Sequence, residues 1–264
     1  MSGRKIKGRI IHHCRDEYGE IFVADDGMTR SLYFGDVQQS SIRLDRPEIL
    51  VDDYSQAMMS VLALRPEPKS VLLIGLGGCA LVHFLLHACP SCELHVVEIR
   101  RTVMDVASEF FSLPARGNLH VHHAPGQEFI VRTGSPGTYD LILSDAFDEG
   151  GPATGLMGPE FLSACRKQLG TAGIFVANLW TRPKDGFPAR CDYLKEILGG
   201  PILRLVPGEV HANGLVFWAA DPNVFQNLPS YRPAARRLHA EHRINFPRYL
   251  MLLYRQNISR QAEQ

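Results

Sequence analysis

The segment VLLIGLGGCA, Val71–Ala80, runs from a stretch of apolar residues through a glycine-rich turn into apolar sequence of helical character. A second apolar run, VVEIR at Val96–Arg100, follows it and carries the acid Glu98 near its end. Strand, glycine loop, helix and a second strand closed by a carboxylate make the front half of a nucleotide-binding α/β unit. Glycine lets the backbone approach a ligand closely, and the first N–H groups of the next helix lack intrahelical partners. The acid stands where a pair of ribose hydroxyls would be held. Gly75-Leu76-Gly77-Gly78-Cys79-Ala80 fits G-x-G-x-x-A, a weak pattern by itself, since a tight turn without any ligand is spelled the same way. Its place between an apolar strand and Glu98 favours a nucleotide or nucleoside. Dinucleotides, with a pyrophosphate, and S-adenosylmethionine-type nucleosides, with a sulfonium, both fit at this point.

Downstream of the glycine turn, short apolar runs alternate with helical periods. Strands are expected at Val71–Gly75, Leu94–Ile99, Leu119–His122, Leu141–Asp145 and Ile174–Asn178. Helices are expected near Ala80–Ala88, Thr102–Phe111, Gln127–Arg132 and Pro159–Gln168. This rhythm predicts an α/β fold with a doubly wound, mostly parallel sheet and helices on both faces. A helix at Cys191–Leu198 and strands at Ile202–Val206 and Gly214–Ala220 suggest an antiparallel end to that sheet, and residues 244–256 an amphipathic closing helix. Upstream, GRIIHHCRDE, GEIFVADDG and RSLYFGDV within residues 5–43 are rich in β-formers and parted by Tyr-Gly and Asp-Gly turn signals, which predicts a small antiparallel β domain. One helix is expected over Leu50–Ala63, stopped by Pro66 and Pro68. The division is therefore an N-terminal β-strand domain, 1–48, and a Rossmann-like nucleoside-binding domain, 49–264.

Charge argues against polyanionic partners. Lys+Arg and Asp+Glu both number 28, so no net charge points to nucleic acid or an anionic membrane surface. The start MSGRKIKGRI has basic residues without an apolar core behind them, unlike a signal peptide, and no apolar stretch is long enough to span a bilayer. Six cysteines without framework spacing fit reduced thiols in the cytoplasm.

Asp145 closes the fourth strand of the α/β unit, in LILSDAFDEGGPATGL, and carboxyl ends of parallel strands are where ligands bind. Asp148 follows three residues on. Acids here can hold a cationic substrate or take a proton from an attacking amine, whereas Glu149 with its Gly-Gly neighbours reads as turn chemistry. His83, His87, Cys89 and Cys92 have a spacing that invites a zinc reading, but they fall on a helix and turn where a buried packing role is the simpler account. The adjacent pairs His12-His13 and His122-His123 lie on strands and point to opposite faces. No G-x-S-x-G elbow and no G-K-[ST] is present, so serine hydrolase and P-loop readings have no support, and no metal is expected.

With these residues placed, the chain resembles the spermidine synthase family of polyamine aminopropyltransferases from about residue 8 to about residue 222. The segment Asp145-Ala-Phe-Asp148-Glu-Gly-Gly-Pro152-Ala-Thr-Gly-Leu156 is similar to that family's D-x-x-D-P/G-x-G-P-A-x-x-L motif. The resemblance implies decarboxylated S-adenosylmethionine as co-substrate, an amine or polyamine acceptor, no metal, and a homodimer. It also implies that Asp145 is the base, that Glu98 holds the ribose, and that Gln39, Gly75, Gly77 and Gly78 lie near the nucleoside. Tyr54, Asp148 and His211 are then expected at the amine, His211 standing where the family has a tyrosine. Two departures matter. The family's glycine loop carries an aspartate, which binds the aminopropyl ammonium, where this chain has Gly78. Ala124-Pro125-Gly126 replaces the motif whose aspartate meets the adenine, leaving Gln127 as a neutral substitute. Loss of the loop acid weakens the pull on a cationic arm and removes a clash with a carboxylate. Methyl transfer from intact S-adenosylmethionine is therefore the alternative, and a non-catalytic nucleoside- or polyamine-binding member a second; an NAD dehydrogenase is the outsider.

Overall fold

Val71 and Leu73 face one side of a central sheet, Leu72 and Ile74 the other, and all four are buried. A strand alternates its side chains between faces, so a run apolar at every position requires cover on both. The computed structural model describes residues 6–132, 136–148, 151–152, 154–181, 186–208 and 213–258. An antiparallel four-stranded sheet comes first, β1 (Arg9–Asp16), β2 (Gly19–Asp25), β3 (Thr29–Phe34) and β4 (Val37–Arg43), paired in chain order. Helices α1 (Asp53–Met58) and α2 (Val61–Leu64) lead to the α/β unit. That unit continues as β5 (Ser70–Ile74), α3 (Ala80–Ala88), β6 (Glu93–Glu98), α4 (Arg101–Phe110), β7 (Leu119–His123), α5 (Gly126–Arg132) and β8 (Tyr139–Ser144). A two-residue hairpin pairs β9 (Phe147–Asp148) with β10 (Gly151–Pro152). The remainder is α6 (Pro159–Gln168), β11 (Leu169–Trp180), α7 (Gly186–Leu198), β12 (Ile202–Leu205), β13 (Asn213–Ala219), α8 (Arg232–His242) and α9 (Phe246–Ile258).

The large sheet has seven strands in the order β12-β13-β11-β8-β5-β6-β7. The five from β11 to β7 run parallel, and β13 is antiparallel to both β11 and β12. Helices α3, α4, α8 and α9 cover one face; α5, α6 and α7 cover the other. The expected doubly wound sheet with an antiparallel end is the observed one. Strand β5 lies between β8 and β6, so the loop after β5 is flanked by the carboxyl ends of both. No described helix is long and apolar enough to cross a membrane.

Two expectations need correction. The helix expected over Leu50–Ala63 is broken: α1 stops at Met58 and α2 starts at Val61. Residues 57–64 are buried on every side, Met58 and Met59 included, so no single apolar stripe holds one straight axis. The N-terminal sheet also gains β4, whose sequence VQQSSIR has no clear alternation, although Ser40, Ser41 and Ile42 are buried.

Candidate functional site

Gly75 has φ +100°, and a Cβ there would lie 2.5 Å from the Asp145 carbonyl oxygen. Only glycine fits so close an approach in that backbone region. The ladder holds the junction in place, with Gly75 N–H donating to Val97 O at 2.8 Å and Asp145 N–H to Ile74 O at 2.9 Å. Gly77 (φ +51°) and Cys79 (φ +61°) are also left-handed, which turns the chain sharply into α3. Gly78 stands apart. Its N–H donates to Ser40 Oγ at 2.6 Å, and a Cβ would fall 2.7 Å from that oxygen and 2.8 Å from the Phe111 ring. Gly75 and Gly77 line a cavity; Gly78 is packed behind the loop and does not.

Glu98 ends β6 beside this loop and is almost fully buried. Its carboxylate accepts from Leu76 N–H at 3.0 Å and from Arg100 N–H at 2.9 Å. Burial raises its pKa, and those N–H donors oppose the rise. Backbone donors therefore aim the carboxylate, and Glu98 lines the cavity. Arg100, next but one, reaches the N-terminal sheet. It donates to both Asp16 oxygens, at 3.0 and 2.7 Å, and lies 4.2 Å from the centre of the Phe34 ring.

Asp145 follows β8 across the loop from Glu98. Asn178 Nδ2 donates to its Oδ1 at 2.7 Å, and Tyr54 Oη to its Oδ2 at 3.4 Å. Asn213 Nδ2 in turn donates to Asn178 Oδ1 at 3.1 Å. Although part of Asp145 opens onto the cavity, its carboxyl is poorly solvated, and burial pushes its pKa up to about 7. Asn178 and Tyr54 pull the other way, while nearby Asp52 adds to the rise. Tyr54 Oη also reaches the Gln39 carbonyl at 3.0 Å, and burial beside Asp145 raises the phenol well above its usual range.

The cavity has a volume of about 340 Å³, within the range typical of small-molecule sites. Ile74, Val97, Ile99, Pro125 and Leu156 supply apolar walls; Glu98, Gln127, Gln39, Tyr54 and Asp145 supply polar groups. Apolar walls beside an aimed carboxylate can take an apolar ring and a hydroxyl-bearing group. Of the expected residues, Gln39, Tyr54, Gly75, Gly77, Glu98, Gln127 and Asp145 converge here. Asp148 lies in β9 next to the lining residue Phe147, and His211 and Glu149 fall outside the described residues. Ser40, Arg100 and Asn178 were not expected; a buried serine or asparagine on a strand takes its meaning from a partner far along the chain. Away from the cavity, His83 Nε2 pairs with the Phe111 carbonyl at 2.9 Å. Burial pushes Cys89 up to about 11 and Cys92 up to about 12, so both stay thiols.

Sheet order, glycine loop and the two flanking acids define a transferase fold of the class I S-adenosylmethionine type. The chain matches the spermine/spermidine synthase domain over residues 52–180. It is 31% identical to a polyamine aminopropyltransferase of Neisseria meningitidis, over 92% of each chain. It is also 35% identical to an eEF1A lysine and N-terminal methyltransferase of Xenopus laevis, over 57% of this chain and 24% of that protein. Among solved structures, spermidine synthase from Thermotoga maritima aligns with a TM-score of 0.65 at 16% identity, covering 85% of this chain and 79% of that one. Human methyltransferase-like protein 13 in complex with SAH aligns at 0.63 and 24% identity, covering 71% and 92%. The chain belongs to the spermine/spermidine synthase family.

Proposed function

We propose that this protein transfers an aminopropyl group from decarboxylated S-adenosylmethionine to an amine or polyamine acceptor. The carrying observation is Asp145: a carboxyl held by Asn178 and Tyr54, with a pKa near 7, in the same cavity as Glu98. An ammonium has no lone pair and cannot attack carbon. Ionised Asp145 accepts the amine's proton, and the freed lone pair attacks the carbon beside the sulfonium. The new C–N bond forms as the C–S bond breaks, and the electron pair stays on sulfur, which leaves as methylthioadenosine. In this reading Glu98 holds the ribose, Gln127 meets the adenine, and Gln39 with Gly75 and Gly77 shapes the nucleoside's path. Gly78 serves by packing. Tyr54 takes the amine side with Asp148 and His211.

Residues 1–48 would then act as a β domain that closes the cavity of the transferase domain, 49–264. A cytoplasmic homodimer completes the reading, supported by six cysteines held outside disulfides and by exposed Ile10, Met28 and Leu44 near the N-terminal sheet. Incubation with putrescine and decarboxylated S-adenosylmethionine should release methylthioadenosine; no release would sink the proposal.

Methyl transfer from intact S-adenosylmethionine is the second reading, favoured by one feature. Position 78 is closed by Ser40 and Phe111, so the loop offers no acid to a cationic arm. Calorimetry with the two nucleosides separates the readings, since tighter binding of the carboxylated form would favour methyl transfer.

A further inference from the structure

Ser40 is a polar cavity residue that the proposed function leaves without a task. It lies on β4, is 7% exposed, and lines the cavity. A hydroxyl has two lone pairs and one proton to offer. Among the described residues, its Oγ has a single partner, the Gly78 N–H at 2.6 Å. One lone pair and the proton remain in a nearly dry corner, and buried polar capacity of that kind is costly unless something meets it.

Its placement says what would meet it. Leu76 N–H, two residues earlier on the loop, is already taken by Glu98, which marks the ribose end. The residue before Ser40, Gln39, gives its carbonyl to Tyr54, and Tyr54 reaches Asp145, which marks the reacting carbon. Ser40 is thus a third polar corner, between the glycine loop and Asp145. A sulfonium has three arms: the adenosyl arm runs to the ribose corner, the methyl has no polar group to place, and the transferred arm passes Asp145 at its reacting carbon and ends at the polar corner that remains. That arm ends in an ammonium.

We infer that Ser40 is a specificity residue whose hydroxyl oxygen accepts a hydrogen bond from the ammonium of the aminopropyl arm. This rests on the sulfonium-nucleoside reading above. The neutral oxygen works beside a position where no side chain fits, since anything larger than glycine at residue 78 meets Ser40 itself and Phe111.

The test is calorimetric titration of the full chain with decarboxylated S-adenosylmethionine and with methylthioadenosine, which lacks the arm. Ser40→Ala should weaken binding of the first by about tenfold and leave the second unchanged, as loss of one hydrogen bond to a charged group implies. Ser40→Thr, which keeps the hydroxyl, should restore most of the loss. An equal loss for both nucleosides would overturn the inference and make Ser40 a tether for the loop. So would no loss for either. If the unaltered protein binds neither nucleoside, the transferase reading itself falls and takes this inference with it.

Discussion

Asp145 sits between opposing influences: burial and Asp52 raise its pKa, Asn178 and Tyr54 lower it, and the balance comes out at about 7. The proposed chemistry needs the ionised form, so kcat/KM should rise as pH passes upward through about 7 and then level off. Asp145→Asn removes the proton acceptor and should lower the rate by roughly 10²–10⁴-fold while the protein still binds nucleoside. Steady-state rates alongside calorimetric binding check both halves. Asn178→Ala makes a subtler case. Its amide favours the charged carboxylate, so losing it should move the pH midpoint to higher pH; a midpoint moving down, or staying still, would remove Asn178 from the account. Asn178 was missed for a physical reason. It lies within an apolar strand, two residues before its end, and only the register of β11 beside β8 brings it to Asp145.

The edge of the large sheet carries its own acid sensitivity. His95 on β6 stacks with His120 on β7 at 4.8 Å between ring centres, and its Nδ1 lies 3.1 Å from His122 Nε2. That N···N hydrogen bond needs at least one neutral ring. Burial lowers the pKa of both His95 and His122, with the neighbouring imidazoles adding to it and Glu93 opposing it at His95. Lowered folded-state values mean that this stability is present above the ordinary histidine pKa of about 6.5 and is lost as pH falls through the folded-state values. Melting temperature should therefore drop between pH 7.5 and 5.5, and His95→Gln should flatten that drop; an unchanged slope would exclude the pair. At this scale the parallel strands were legible because both-face burial makes them continuous apolar runs. Strand β4 was not, because two of its three buried residues are serines, nor was the break between α1 and α2, because apolar residues on every side erase the helical period. The short β9–β10 hairpin and α8 gave no signal strong enough to place.

Two sheets far apart in the chain share the cavity wall. Tyr18 and Phe34 come from the N-terminal sheet; Glu98 and Asp145 follow strands of the large one. Their fastening is the buried pair Arg100–Asp16, with side chains 5% and 7% exposed. Arg100→Met would strand the Asp16 carboxylate in a dry site and should cost about 3–5 kcal/mol, read from the urea midpoint. A nucleoside bound as proposed would also make this joint's ligand a structural member. A nucleoside that touches both sheets is mortar between them, and mass action makes occupancy hold the joint shut by RT ln(1 + [L]/Kd). On the proposed function, substrate supply would then be written into the lifetime of the folded chain, a chain short of nucleoside losing that share of its stability.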